Sequence, residues 1–186
     1  MANDGILTGT EVRQKLLAGA VKLTDAVSCT LGPRGQNVIL YQKGAAPVIT
    51  KDGVTVARVV ELEDDFEQAG VEVLRQAALQ TSTVAGDGTT TATVLAKAIL
   101  EEANRQITAG AIPIEVKRGM DKAVEKIIDK LNEMSKPVSS EEEISHVATV
   151  SANGDEVIGK LIASAVAAAG KDGAITIEES RSLETS

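Results

Sequence analysis

What restricts this chain most is the scarcity of large rings from which to build a core. Its 186 residues include one Tyr, one Phe and no Trp, although 43% are hydrophobic. Aromatic side chains are the bulky anchors of many sandwiches and mixed cores. Without them the interior has to be assembled from Ala, Val, Ile and Leu, which favours helices in close contact. The formal net charge is -8, from 19 Lys and Arg against 27 Asp and Glu. No basic surplus exists to displace the counterions of a nucleic acid, so none is expected as a partner. A single Cys and a single His exclude an internal disulfide framework and the usual zinc sites, and point to a reducing, cytoplasmic compartment. Cys29 is expected to be a small buried apolar residue. The start of the chain has neither the basic region nor the apolar run of a signal peptide. No stretch approaches the ~20 apolar residues of a membrane span, so no membrane partner is expected.

Apolar spacing predicts the elements. Val12, Leu16, Ala20, Leu23 and Val27 recur at helical steps behind Thr8 or Thr10, and Gly32-Pro33 ends that helix. The period changes at Asn37-Val-Ile-Leu-Tyr41 and Pro47-Val-Ile-Thr50, two β-branched runs that predict a hairpin in need of a supporting neighbour. A helix from Asp64-Asp65 places Phe66, Gly70, Val73, Ala77 and Val84 on one face. The next opens at Thr89 to Thr91 and carries Leu95, Ile99, Ala103 and Ile107. Pro113 begins another, striped by Val116, Met120, Val124, Ile127, Leu131 and Met134. Composition shifts at Ser135-Lys-Pro-Val-Ser-Ser140, the predicted domain boundary. Beyond it, Ser140 and Glu143 form a capping box for a helix through Val150. Ile158, Leu161, Ile162, Ala165 and Ala169 mark a last helix, and Ala174-Ile-Thr-Ile-Glu178 alternates like a strand. That strand has no later segment to pair with, so the chain is expected to be part of something longer.

Three glycine-bearing segments carry the candidate chemistry. Gly86-Asp-Gly-Thr-Thr-Thr91 lies between two helical stripes. Its small residues let backbone approach a ligand, amides at a helix start favour an anion, and Asp87 offers oxygen to a hard cation such as Mg²⁺. An ordinary capped helix start would use the same residues. Thr30-Leu-Gly-Pro-Arg-Gly35 reads either as a helix stop or as a second loop facing the same ligand. Thr50-Lys-Asp-Gly-Val-Thr55 reads either as a solvated turn or as a Lys51 point charge beside an Asp52 that orients water. Neither a G-x-x-x-x-G-K-[ST] loop nor a G-x-G-x-x-G fingerprint is present.

Together these segments resemble the N-terminal part of a group I chaperonin, the GroEL type. Glu61-Leu-Glu-Asp64, Ala85-Gly-Asp-Gly-Thr-Thr-Thr-Ala-Thr-Val94, Lys117-Arg-Gly-Met-Asp-Lys-Ala123, Val150-Ser-Ala-Asn153 and Gly170-Lys-Asp-Gly173 extend the match in order and spacing, from about Leu16 to Glu179. Arg34 stands where the family usually has Lys, and the hairpin tip Tyr41-Gln-Lys-Gly44 departs from its usual pattern. The resemblance implies a mainly α fold. Residues 1–134 would form the N-terminal half of a multihelical equatorial domain with a small β-hairpin. Residues 135–186 would form a small α+β intermediate-domain segment running into the apical domain.

The implied function is that of an ATP-dependent protein-folding chaperonin subunit, an ATPase using ATP, Mg²⁺ and K⁺. Its partners would be unfolded protein clients, a co-chaperonin and further copies of itself in a homo-oligomeric ring. By motif, Thr30, Leu31, Gly32 and Pro33 would line the phosphates with Lys51. Asp87 would hold Mg²⁺, while Gly88, Thr89, Thr90 and Thr91 wrap the phosphates. Asp52 would assist the attacking water, with Val150 and Ser151 approaching from the intermediate side. The family's main catalytic aspartate and most of its apical domain correspond to positions past Ser186, so this segment is not expected to complete the cycle alone. The alternative is a non-enzymatic helical interaction module, or an inactive fragment, with glycines serving only as punctuation.

Overall fold

A computed structural model describes residues 5–41, 44, 46–170 and 173–176. In chain order these contain α1 (Gly9–Ser28), β1 (Val38–Leu40), β2 (Val48–Thr50), α2 (Gly53–Val59), α3 (Asp65–Ala85), α4 (Thr89–Thr108), α5 (Pro113–Met134), α6 (Glu141–Ser151) and α7 (Glu156–Ala169). The chain forms two compact units, Met1–Ile128 and Asp129–Ser186, and the division falls inside α5, ahead of the Ser135-Lys-Pro segment. Among the described residues no helix is long and apolar enough to cross a membrane.

The first unit packs on small residues, as a ring-poor sequence demands. Ala20, Leu23 and Val27 of α1, Val56 and Ala57 of α2, and Val71 and Leu74 of α3 form its buried cluster. The predicted α1 stripe therefore faces the core, although the helix stops at Ser28, before Gly32. α1 and α3 cross with their backbones in contact. A Cβ on Gly19 would overlap the carbonyl oxygen of Glu67, and one on Gly70 would overlap that of Leu16. Only glycine at both positions permits this approach, which brings the flanking Ala and Val side chains into register for close packing. A charged rim borders the crossing. Lys15 Nζ lies 2.6 Å from Asp64 Oδ2 and 3.3 Å from Glu67 Oε1, and Lys22 pairs with Glu67. Asp64 also caps α3, accepting from the amides of Phe66 and Glu67.

The crossing also rotates α3 away from its expected face. Gly70, Val71, Leu74 and Ala78 are buried, whereas Val73 and Val84 are 57% and 81% exposed. At 3.6 residues per turn the buried face lies about a quarter turn from the predicted one. Leu95 and Ile99 of α4 are more than half exposed, and Thr93 is the residue of that helix that is buried. No residue of α5 is buried. Their stripes are present at the predicted spacing but only partly covered, with Leu95 and Ile99 of α4 and Val116 and Met120 of α5 lining one groove.

The hairpin forms as expected and is antiparallel, with Val38 opposite Thr50 and Leu40 opposite Val48. Val38 and Leu40 rest on the core while Ile39 points outward. The helix α2 is not predicted by the apolar spacing, and its first turn overlaps the Thr50–Thr55 segment, which reads as a turn or a Lys51–Asp52 site. Asp52 caps it, its Oδ1 accepting from Val54 N at 3.2 Å and its Oδ2 from Thr55 N at 3.0 Å. Burial of Val56 and Ala57 outweighs the weak helix propensity of Val and Thr. Arg75 of α3 ties down its far end by donating to the carbonyls of Ala57 and Val60.

The second unit contains α6 and α7. The capping box at Ser140 and Glu143 is formed, and Asp155 caps α7. Asn153 (φ 57) and Gly154 (φ 91) make the left-handed turn between the helices. Ala148 and Ala163 are buried, and a Cβ on Gly159 would overlap Thr149 Oγ1, so these helices too meet over small residues. Ile158 and Leu161, predicted on the inner stripe, are 44% and 54% exposed. Residues 173–176 carry no strand, there being no partner segment for one among the described residues. Ile177 and Glu178 of the predicted strand lie outside the described residues.

Two predictions follow from this packing. Gly70→Ala forces α1 and α3 apart and lowers the unfolding free energy by about 3 kcal/mol. Gly119→Ala, in the exposed middle of α5 with nothing within 4 Å, raises it by about 0.5–1 kcal/mol. Urea unfolding of the two variants measures the contrast. The second concerns acid. Hydrogen bonds from Lys15 to Asp64, and from Lys22 to Glu67, hold these carboxyls below their ordinary values of 3.8 and 4.5. Their stabilisation is complete at neutral pH and disappears as pH falls through the lowered values. Glu67→Gln should reduce the urea midpoint at neutral pH and flatten its decline below about pH 4.

Candidate functional site

Two of the three glycine segments touch each other, and the third follows the end of α1 that they also touch. After α1 the chain folds back on itself. Thr30 donates from both its amide (3.1 Å) and its hydroxyl (2.8 Å) to the Val27 carbonyl, and Gln36 N donates to the Cys29 carbonyl at 2.7 Å. Gly32 sits at φ +75 and Gly35 N closes the bend onto the Gly32 carbonyl at 2.9 Å. Leu31, Gly32 and Pro33 are exposed on this loop. Cys29 is exposed as well, contrary to its expected burial, because α1 has ended and its thiol turns back to the Ala26 carbonyl at 3.0 Å.

The second segment links α3 to α4. Gly86 (φ +74) and Gly88 (φ +83) both adopt left-handed backbone, which residues bearing a Cβ take up reluctantly. Gly86 N closes α3 onto the Ser82 carbonyl at 3.0 Å. Gly88 is the N-cap of α4 and has no side chain to satisfy the helix amides. By contrast α2, α3, α6 and α7 each begin with an Asp or Ser whose oxygen accepts from those amides. The N-cap residue of α4 therefore offers no side-chain oxygen to the first-turn N–H groups. Thr89 and Thr90 are half-buried and Thr91 is exposed. Asp87 is exposed and its Oδ1 accepts from Gly88 N at 2.6 Å.

The third segment supplies Lys51 and Asp52, both exposed, at the start of α2. Besides its two amide bonds, Asp52 accepts from Thr55 Oγ1 at 2.6 Å. Its first task in this structure is therefore to hold α2. Gly53 joins this segment to the start of α4 and to the last turn of α1. It is buried, and a Cβ there would overlap Thr90 Oγ1 of α4 and lie 3.1 Å from Val27 Cγ1 of α1. The start of α2, the start of α4 and the end of α1 are thus in direct contact. Sequence reasoning named Lys51, Asp52 and Thr90 but missed Gly53 and Val27, which bring them together. An Asp followed by Gly-Val-Thr-Val-Ala is an N-cap signal that could have revealed α2. Val150 and Ser151 end α6 in the second unit, and Val150 is 76% exposed.

This donor set suits phosphate groups, which take helix-start amides, hydroxyls and a Lys point charge. Among the described residues no group of three or more His, Cys, Asp or Glu side chains could cage a metal ion. A single carboxylate at Asp87 matches Mg²⁺, which keeps water and phosphate oxygens in its shell.

Helices packed on small residues, with glycine loops at their ends, define a framework that recurs in chaperonins. Over residues 23–185 the chain matches the TCP-1/cpn60 chaperonin family, and it belongs to that family. It is similar to the chaperonin gp146 of the bacteriophage EL 2 (Pseudomonas aeruginosa), solved in the presence of ATP-BeFx. The identity is 28% over 89% of this chain and 29% of that one, with a TM-score of 0.71. It is also similar to a group III chaperonin in the open state, with 27% identity over 85% of this chain and 32% of that one, and a TM-score of 0.73. The chain therefore spans about a third of the length of these solved chaperonins. Its seven described helices and two-stranded sheet have the fold of a chaperonin equatorial-domain fragment. The narrower group I assignment rests on the sequence motifs alone.

Proposed function

We propose that this chain carries one wall of the nucleotide site of a group I, ATP-dependent protein-folding chaperonin subunit. The observation that carries this reading is the contact at Gly53 between the start of α2, the start of α4 and the end of α1, the helix end from which the Thr30–Gly35 bend continues. The amides and hydroxyls of Thr89, Thr90 and Thr91, with Gly88, hold phosphate oxygens. The Thr30, Leu31, Gly32 and Pro33 backbone closes over them, and Lys51 adds positive charge. Asp87 holds the Mg²⁺ that accompanies ATP, and K⁺ is the further ion the resemblance implies. Bound Mg²⁺ offsets phosphate charge and polarises the phosphoryl oxygens. Asp52 orients the attacking water with the lone pairs its cap bonds leave. Completed hydrolysis, client capture, the co-chaperonin and the homo-oligomeric ring belong to a whole subunit, of which these residues are a part.

The exposed stripe of Leu95 and Ile99, continued by Val116 and Met120 along one apolar groove, favours a second reading as a helical interaction module. Titration calorimetry separates the two. Wild-type chain should bind ATP in the presence of Mg²⁺, and Asp87→Ala should weaken this by about tenfold or more, as expected for loss of a charged ligand. Equal affinities would remove Asp87 from the site. Concentration-dependent association with no response to ATP would favour the module.

A further inference from the structure

We infer that Gly53 is a positioning residue for the nucleotide site: by presenting only hydrogen to Thr90, it leaves the space that the Thr90 hydroxyl occupies at the start of α4. This inference rests on the nucleotide reading above. Gly53 does not adopt left-handed backbone, so its conformation alone does not call for glycine. The requirement is space. A Cβ at residue 53 would overlap Thr90 Oγ1, and it would lie 3.3 Å from Thr90 Cβ and 3.1 Å from Val27 Cγ1.

Of these neighbours only the hydroxyl can move far. Val27 is fully buried in the core cluster and has no free volume to enter. The Thr90 Cβ is fixed by the α4 backbone. Thr90 carries a hydroxyl, a methyl and a hydrogen on that carbon, and only the hydrogen clears a new methyl at residue 53. The staggered rotamer that points it there swings Oγ1 out of its present direction. Meanwhile the α2 start is spared. The Asp52 bonds to Val54 N and Thr55 N do not involve residue 53, and alanine is a better helix former than glycine. Gly53→Ala therefore displaces one hydroxyl of the site, and the crowding left against Val27 Cγ1 and Thr90 Cβ lowers stability as well.

A double-mutant cycle on the 186-residue chain tests this with wild type, Gly53→Ala, Thr90→Ala and the double variant. Two quantities are read: MgATP affinity by calorimetry, and the Thr90 χ1 rotamer by methyl NMR couplings without nucleotide. Gly53→Ala should change the Thr90 rotamer and weaken MgATP by about tenfold, the scale of one hydrogen bond to a charged acceptor, in a chain that still unfolds cooperatively in urea at a lowered midpoint. In the Thr90→Ala background, where no hydroxyl remains to displace, the same change should cost less than about twofold. An unchanged rotamer in Gly53→Ala, an unchanged affinity despite a changed rotamer, or equal losses in both backgrounds would overturn the inference. If Gly53→Ala unfolds and the double variant does not recover, the clash is not with the hydroxyl and the inference falls. Failure of wild type to bind MgATP would overturn the nucleotide reading and this inference together. Asp87-dependent binding with an additive cycle would overturn this inference alone.

Discussion

The backbones of α1 and α3 touch at Gly19 and Gly70, and the first unit is organised around that contact. A chain with two aromatic residues cannot fill a wide gap between helices, so the helices close the gap themselves. Once they do, short side chains suffice. Ala20, Leu23 and Val27 meet Val71 and Leu74 directly, and α2 adds Val56 and Ala57 to the same cluster. The end of α1 is held by the same packing, because Val27 is both a core residue and the neighbour of Gly53. The geometry of the candidate site is thus an extension of the core into the loops. The second unit repeats the device on a smaller scale, with Gly159 of α7 set against Thr149 of α6.

Polar groups divide the remaining work. Asp52, Asp64, Ser140 and Asp155 satisfy the amides of the helices they precede. Lys15 and Lys22 bind the rim of the α1–α3 crossing to Asp64 and Glu67. The start of α4 departs from the pattern of these four helices, having Gly88 at the position of the capping oxygen, and Thr8 at the start of α1 makes no cap bond either. A helix start whose N-cap residue has no side chain is a modest cost to stability, and it is also a place where phosphate oxygens can take the capping role.

Much of this was legible in local patterns. The α1 stripe, the hairpin, the Ser140–Glu143 capping box and the glycine segments follow from spacing and residue type, and each forms where expected. What escaped depended on tertiary contacts. The segment Gly53–Val59 is rich in β-branched residues, and its helix exists because Asp52 caps it and Val56 is buried. The buried face of α3 is chosen by Gly70 against Leu16, so counting Val73 and Val84 as inward misplaced it. The stripes of α4 and α5 have helical period, yet period reports which residues share a face, not whether anything lies against it. Within the site, Thr89 to Thr91 and Asp87 could be named from the motif. Gly53 could not, because its importance lies in a neighbour on another helix.

The convergence of the three loops is open to direct measurement. Mn²⁺ in place of Mg²⁺ broadens amide NMR signals near it, so the chain should be titrated with substoichiometric Mn²⁺ in the presence of ATP. The signals of residues 30–32, 51–53 and 87–91 should broaden together, and Asp87→Ala should abolish the effect across all three segments. Broadening confined to one segment, or centred on the acidic start of α6 at Glu141–Glu143, would contradict a shared nucleotide site.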